Sequence, residues 1–112
     1  MDESEFNQKV DDILVAIEES LDICDADLDW DLAGGILTIE CENGSQVIVN
    51  RQGPTQQIWV ASRGGGFHFD FCEQEGEGKD AEKESWRQGD LELFALLNQA
   101  LSEQSGENVK LD

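Results

Sequence analysis

In the stretch "DICDADLDWDLAGG", residues 22–35, an aspartate recurs at every second position from Asp25 to Asp31. Carboxylate oxygens are hard donors that suit Fe²⁺, Fe³⁺, Mn²⁺ or Ca²⁺, and a row of them also suits a basic protein surface. A spacing of two predicts a β-strand with Asp25, Asp27, Asp29 and Asp31 on one face and Ala26, Leu28, Trp30 and Leu32 on the other. Just upstream, Asp11, Asp12, Glu18, Glu19 and Asp22 fall within one third of a helical circumference. If helix and strand lie side by side, these acids make one continuous ridge. The array has no EF-hand spacing and no ring around one ion, so it should bind several cations weakly and with little selectivity. A charge run alone is usually a solvated face that aids solubility. Here two adjacent elements concentrate like charge at one place, and the repulsion that this costs weighs against that reading.

Catalytic templates find little support. His68 is the single histidine, so a His-pair metal motif is excluded, and no Ser or Cys nucleophile lies near it in sequence. The run "RGGG" lacks the strand and helix context of a dinucleotide site and reads as a turn. The three cysteines, Cys24, Cys41 and Cys72, form no CxxC pair; they read as small core residues in a reducing compartment. A second kind of chemistry sits in "QIWVA", where alternation puts Ile58 and Val60 on one face and Gln57, Trp59 and Ala61 on the other. With Ile58 and Val60 facing the core, Trp59 stands on an uncovered face near Asn50 and His68, the composition of an interaction hot spot. The competing reading, that the core covers the Trp59 face, remains open at this point.

The elements that must position these residues follow from periodicity. From Ser4 to about Leu21, apolar residues at Phe6, Val10, Ile13, Leu14, Ile17 and Leu21 define a helical stripe, with Ser4 or Asp2 as the cap. After the alternating strand, Gly34-Gly35 turns into "ILTIECE", a strand with Leu37, Ile39 and Cys41 inward. Asn43-Gly44 predicts a two-residue type I′ turn into "QVIVN". "QIWVA" and "FHFDF" are the fourth and fifth strands. Residues 73–85 show no apolar periodicity and read as a solvated loop, and "SWRQ" as a short sixth strand. From Asp90, an N-cap or first-turn acid, "LELFALLNQAL" is helical. Val109 and Leu111 in the tail could pack beside the helices. The expected fold is α+β: a two-layer α-β-α sandwich, one domain over 1–112, with two helices on one face of a five- to six-stranded antiparallel sheet.

With 26 acids against 7 bases, the formal charge is −19. That argues against nucleic-acid or anionic-membrane partners and for cations or basic proteins. The charge is uneven, for residues 1–31 hold twelve acids and one lysine whereas 46–70 hold two arginines and one aspartate. No segment approaches the roughly 20 apolar residues of a membrane span, and the acidic N-terminus is unlike a secretory signal, so the expected location is the cytoplasm.

The segment "NGSQVIVNRQGPTQQIWVASRGGGFHFD", with Asn50-Arg51-Gln52, Pro54, Gln57, Trp59-Val60-Ala61 and the Gly-Gly-aromatic-His-Phe-Asp strand at Gly65 to Asp70, resembles the frataxin family in its bacterial branch. "SEF", "IEESLD", the acidic strand and "SGENV" extend the likeness over nearly the whole chain. The resemblance implies an iron-binding protein, not an enzyme, that regulates iron–sulfur cluster assembly, tending in bacteria to slow it, as iron sensor or iron donor. It implies weak, surface-bound Fe²⁺ or Fe³⁺ at Glu18, Glu19, Asp22, Asp25, Asp27, Asp29 and Asp31, with Asp11 added from the helix face and other divalent cations as competitors. It implies contact with the basic patch of a cysteine desulfurase and with the iron–sulfur scaffold protein, the latter through Asn50, Arg51, Gln57, Trp59 and His68. The expected state is a monomer, with an iron-induced oligomer as the alternative. Two rivals stand beside this reading. One is a pure acidic interaction module with incidental metal binding; the other, a ferroxidase, lacks the ExxH-type set of a di-iron centre. The departure from the family is the acidic segment 73–85, longer than the usual fifth-to-sixth strand hairpin, which leaves the register of the sixth strand and of Trp86 open.

Overall fold

A computed structural model of the chain describes the backbone of residues 2–75 and 82–111 and the side chains of 2–72 and 85–111. Helix α1 spans Glu3–Ile23. Its N-cap is Asp2, whose carboxylate accepts from the Glu5 amide at 2.8 Å, so Ser4 lies inside the first turn. The apolar stripe falls where the 3.6 period puts it: Phe6, Val10, Leu14, Ile17 and Leu21 are buried.

The strands are β1 (Leu28–Ala33), β2 (Ile36–Cys41), β3 (Gln46–Gln52), β4 (Gln57–Ser62), β5 (Gly65–Glu75), β6 (Glu82–Gln88) and β7 (Leu91–Glu92). They form one antiparallel sheet in sequential order. Seven strands replace the expected five to six, because two residues before the second helix pair with the end of β6 (Gln88↔Leu91). Helix α2 spans Leu93–Ser105. Its N-cap is accordingly Glu92, which accepts from the Phe94 amide, and not Asp90. Gly106 ends it in the left-handed conformation at φ 74°.

The segment expected as a loop over 73–85 is shorter. Strands β5 and β6 pair from Asp70↔Arg87 to Glu75↔Glu82, which leaves 76–81 outside the described residues. Ladder pairing is made by the backbone and needs no apolar alternation, which is why the composition concealed it. The Asn43-Gly44 turn also differs from expectation. Gly44 has φ 88° while Asn43 stays at negative φ. The Gly44 amide donates to Cys41 O at 2.9 Å and the Cys41 amide to Ser45 O at 2.8 Å. That is a three-residue loop closed by a left-handed glycine, not a type I′ turn. Asn43 is engaged elsewhere, accepting from the Ser45 amide at 3.0 Å and donating to Gln104 O at 2.6 Å.

Both helices cover one sheet face. Their buried residues join Leu37, Ile39, Val47, Val49, Ile58, Val60, Phe69 and Trp86 in one core, about 0.8 kcal/mol for every methylene removed from water. Phe6 and Phe71 meet Trp86 edge-on, with centroids at 6.0 and 5.2 Å, which fixes Trp86 inward. The tail is pinned along α2: Asn98 exchanges two hydrogen bonds with Leu111 and Ser102 two with Val109. Val109 and Leu111 are buried, as expected of them.

Candidate functional site

The acidic edge is built by α1 and by β1, which is the first edge strand of the sheet. Asp11, Asp12, Glu19 and Asp22 are exposed on α1 and Glu18 is half-buried. Expectation fails at the strand. Strand β1 begins at Leu28, so Asp25 and Asp27 lie in the connection from α1 and do not share a strand face with Asp29 and Asp31. The reason is register: Leu28 pairs with Cys41, the last residue of β2, and no partner strand continues beyond it. The connection is held instead by Leu28 N to Ala26 O at 3.0 Å and by Asp27 N to Glu107 Oε2 at 3.2 Å.

Asp29 and Asp31 are exposed on the open sheet face, opposite Glu40 and Thr38 in register. Their strand neighbours Leu28 and Trp30 turn to the core, as alternation requires. The acids therefore run from the outer face of α1, round the Asp25–Asp27 connection, to the open side of β1. Among the described residues, no three or more His, Cys, Asp or Glu side chains converge into a group that could hold a metal ion.

Two acids of the row are engaged: Asp12 accepts from Gln8 Nε2 at 2.9 Å, and Asp11 is tied to the sheet. It pairs with Arg51 Nη2, and Arg51 Nη1 donates to Asn7 Oδ1 at 3.0 Å. The pair also corrects Arg51, which was expected beside Trp59. In β3 the inward residues are Val47 and Val49, and Arg51 has the same parity, so it turns toward α1 and clamps helix to sheet.

The open face carries the remaining candidates. Asn50, Trp59 and His68 are register partners across β3, β4 and β5. The His68 ring stacks on Trp59 at 4.3 Å and 14°. Trp59 Nε1 donates to Gln57 Oε1 at 2.9 Å, and Gln57 Nε2 donates to Asp70 Oδ1 at 3.1 Å. The indole is thus stacked on one side and oriented at its edge before any partner arrives. Ile48, Asn50, Trp59, Ala61, Gly66 and His68 surround a shallow depression of about 210 Å³. Ile48 was missed, although "QVIVN" contained the signal: a β-branched residue of the same parity as Asn50 and opposite to Val47 and Val49. Gln104 was also missed. It is 5% exposed and joins α2 to the start of β3 and to the β4–β5 turn, donating to Gln46 O at 3.2 Å and accepting from the Arg63 amide at 2.8 Å. Its position on the apolar stripe of α2 was the available clue.

A two-helix layer over a sequential antiparallel meander, with an acidic edge and a stacked tryptophan on the bare side, defines the frataxin-like class. The frataxin-like domain family model matches residues 1–107, and the chain belongs to that family. A protein of Pseudomonas aeruginosa named iron-sulfur cluster assembly protein CyaY is 46% identical over 112 residues, covering 98% of this chain and 96% of its own. A protein of the same name from Paraburkholderia phymatum is 41% identical over 111 residues, covering 99% and 98%. Among solved structures, a frataxin from Psychromonas ingrahamii superposes with a TM-score of 0.78 at 34% identity, covering 98% of this chain and 97% of that one. No described helix is long and apolar enough to cross a membrane.

Proposed function

We propose that this chain is a non-catalytic component of iron–sulfur cluster assembly, acting in the cytoplasm as an iron-responsive regulator. The acids from Glu18 to Asp31 hold Fe²⁺ or Fe³⁺ weakly through oxygen and meet the basic patch of a cysteine desulfurase. Trp59, with Asn50, Gln57 and His68, meets the scaffold protein. The observation that carries the proposal is the pairing of two unlike surfaces on one small fold, in a chain whose relatives carry the name of iron–sulfur cluster assembly proteins. The donor chemistry fits iron, since carboxylates are hard ligands.

The second reading, an interaction module with incidental metal binding, is favoured by one observation: no three acids converge among the described residues. Titration with Fe²⁺ beside Mg²⁺, with and without the desulfurase, separates the two. Iron that alters the desulfurase complex while Mg²⁺ does not supports the regulator. Identical behaviour of both ions leaves only the interaction module.

A further inference from the structure

On a helix surface, residues three and four apart are neighbours. Val15 is therefore bordered by Asp11, Asp12, Glu18 and Glu19, an aliphatic side chain in the middle of the acidic face, and it is 50% exposed. Leu32, at the far end of β1 and 37% exposed, lines the same open notch of about 220 Å³ with Leu14, Gly35, Asp11 and Arg51. Val15, Ile23, Leu32 and Ile36 are the exposed large hydrophobics among the described residues. Two of the four thus share one recess.

The recess has fixed walls. Leu14 belongs to the core, and Arg51 is held by Asp11 and Asn7. On the remaining side stands Gly35, at φ 79°, where an added Cβ would come within 3.3 Å of Arg51 Nε. The chain therefore has no side chain there to fill the space. An apolar centre ringed by charge has the anatomy of an interface hot spot, in which the rim excludes water from the anchor.

We propose that this notch is a socket for one aliphatic side chain that projects from a basic protein surface. The surrounding carboxylates select the basic surface. The occupant itself is not a lysine or arginine, because a cationic head entering the notch would lie beside the Arg51 guanidinium that lines it. The inference rests on the reading that the acidic edge meets a basic partner, and it adds the contact that would anchor that meeting.

The test is calorimetric titration of the purified cysteine desulfurase, at low and at raised ionic strength, with three forms of the full chain: wild type, V15A/L32T, and E18K/E19K. Alanine is a better helix former than valine and threonine a good strand residue, so V15A/L32T keeps the fold, which circular dichroism checks. Socket loss should weaken binding roughly tenfold with the salt dependence of the wild type retained. Charge reversal should weaken it and flatten the salt dependence. Binding by V15A/L32T equal to wild type, with E18K/E19K impaired, overturns the socket and leaves the acidic interface standing. Absence of wild-type binding overturns both.

Discussion

On the α1–β1 edge, recognition would depend on many exposed carboxylates, each with its own solvent shell; on the open sheet face it would depend on one indole that is already stacked and oriented. The edge is set by local sequence, since Glu18, Glu19, Asp22, Asp25 and Asp27 are close along the chain. The Trp59 face is set by register, because Asn50, Trp59 and His68 come from three strands. A charged edge acts at a distance and is screened by salt. A preorganised aromatic acts only on contact, and it loses little freedom when the partner closes over it. One small fold can therefore steer one partner with the first surface and hold a second partner with the other.

The largest expected effect tests whether the tryptophans divide as the sheet faces do. Trp86→Ala should cost about 3–5 kcal/mol of stability, since it empties a core site enclosed by Phe6 and Phe71. Trp59→Ala should cost less than about 1 kcal/mol in thermal melts, yet weaken scaffold binding by about 2 kcal/mol or more. Equal loss of melting temperature in both variants would mean that the open face is not open. At the edge the signs should reverse. Joint Glu18→Lys, Glu19→Lys and Asp22→Lys should leave stability unchanged or raise it by up to about 1 kcal/mol, through relief of repulsion. Desulfurase binding should fall at the same time. A destabilised triple variant would show that these acids are structural.

A finer test separates Asp11 from the rest of the row. Arg51→Met removes the clamp between α1 and β3 and should cost about 1 kcal/mol, the scale of a partly exposed, charge-assisted contact. It also releases Asp11. In wild type, backbone shifts induced by Fe²⁺ should be confined to residues 18–31; in the variant they should extend to residue 11. Wild-type shifts centred on Asp11 would show that Arg51 does not hold that carboxylate. The smallest effect is Asp27→Asn. It keeps the backbone amide that donates to Glu107 and should change stability by no more than about 0.5 kcal/mol, while slightly lowering the iron response.

Only the fold, which buries Ile58 and Val60, left Trp59 half-buried on the open side; legible in the chain were the composition, the stripe of α1, the inward face of β2 and the division of β4 into two faces. Each depends on a period of 3.6 or 2 within one segment, and burial follows directly from which residues repeat. What the chain order concealed was pairing. The spacing of Asp25 and Asp27 is that of a strand, but a strand needs a partner, and β2 ends at Cys41. Acidic composition over 73–75 and 82–85 suggested a loop, but the ladder between β5 and β6 is made by backbone groups that carry no sequence signature. Arg51 follows its neighbours' alternation onto the helix side, where only the packing of α1 across β3 supplies Asp11 and Asn7 as partners. Sequence alone determined the sign of charge and the period within each continuous segment. Tertiary structure decided which elements meet, and so which acids remain free to act, because contacts between distant segments depend on register and packing that no local period encodes.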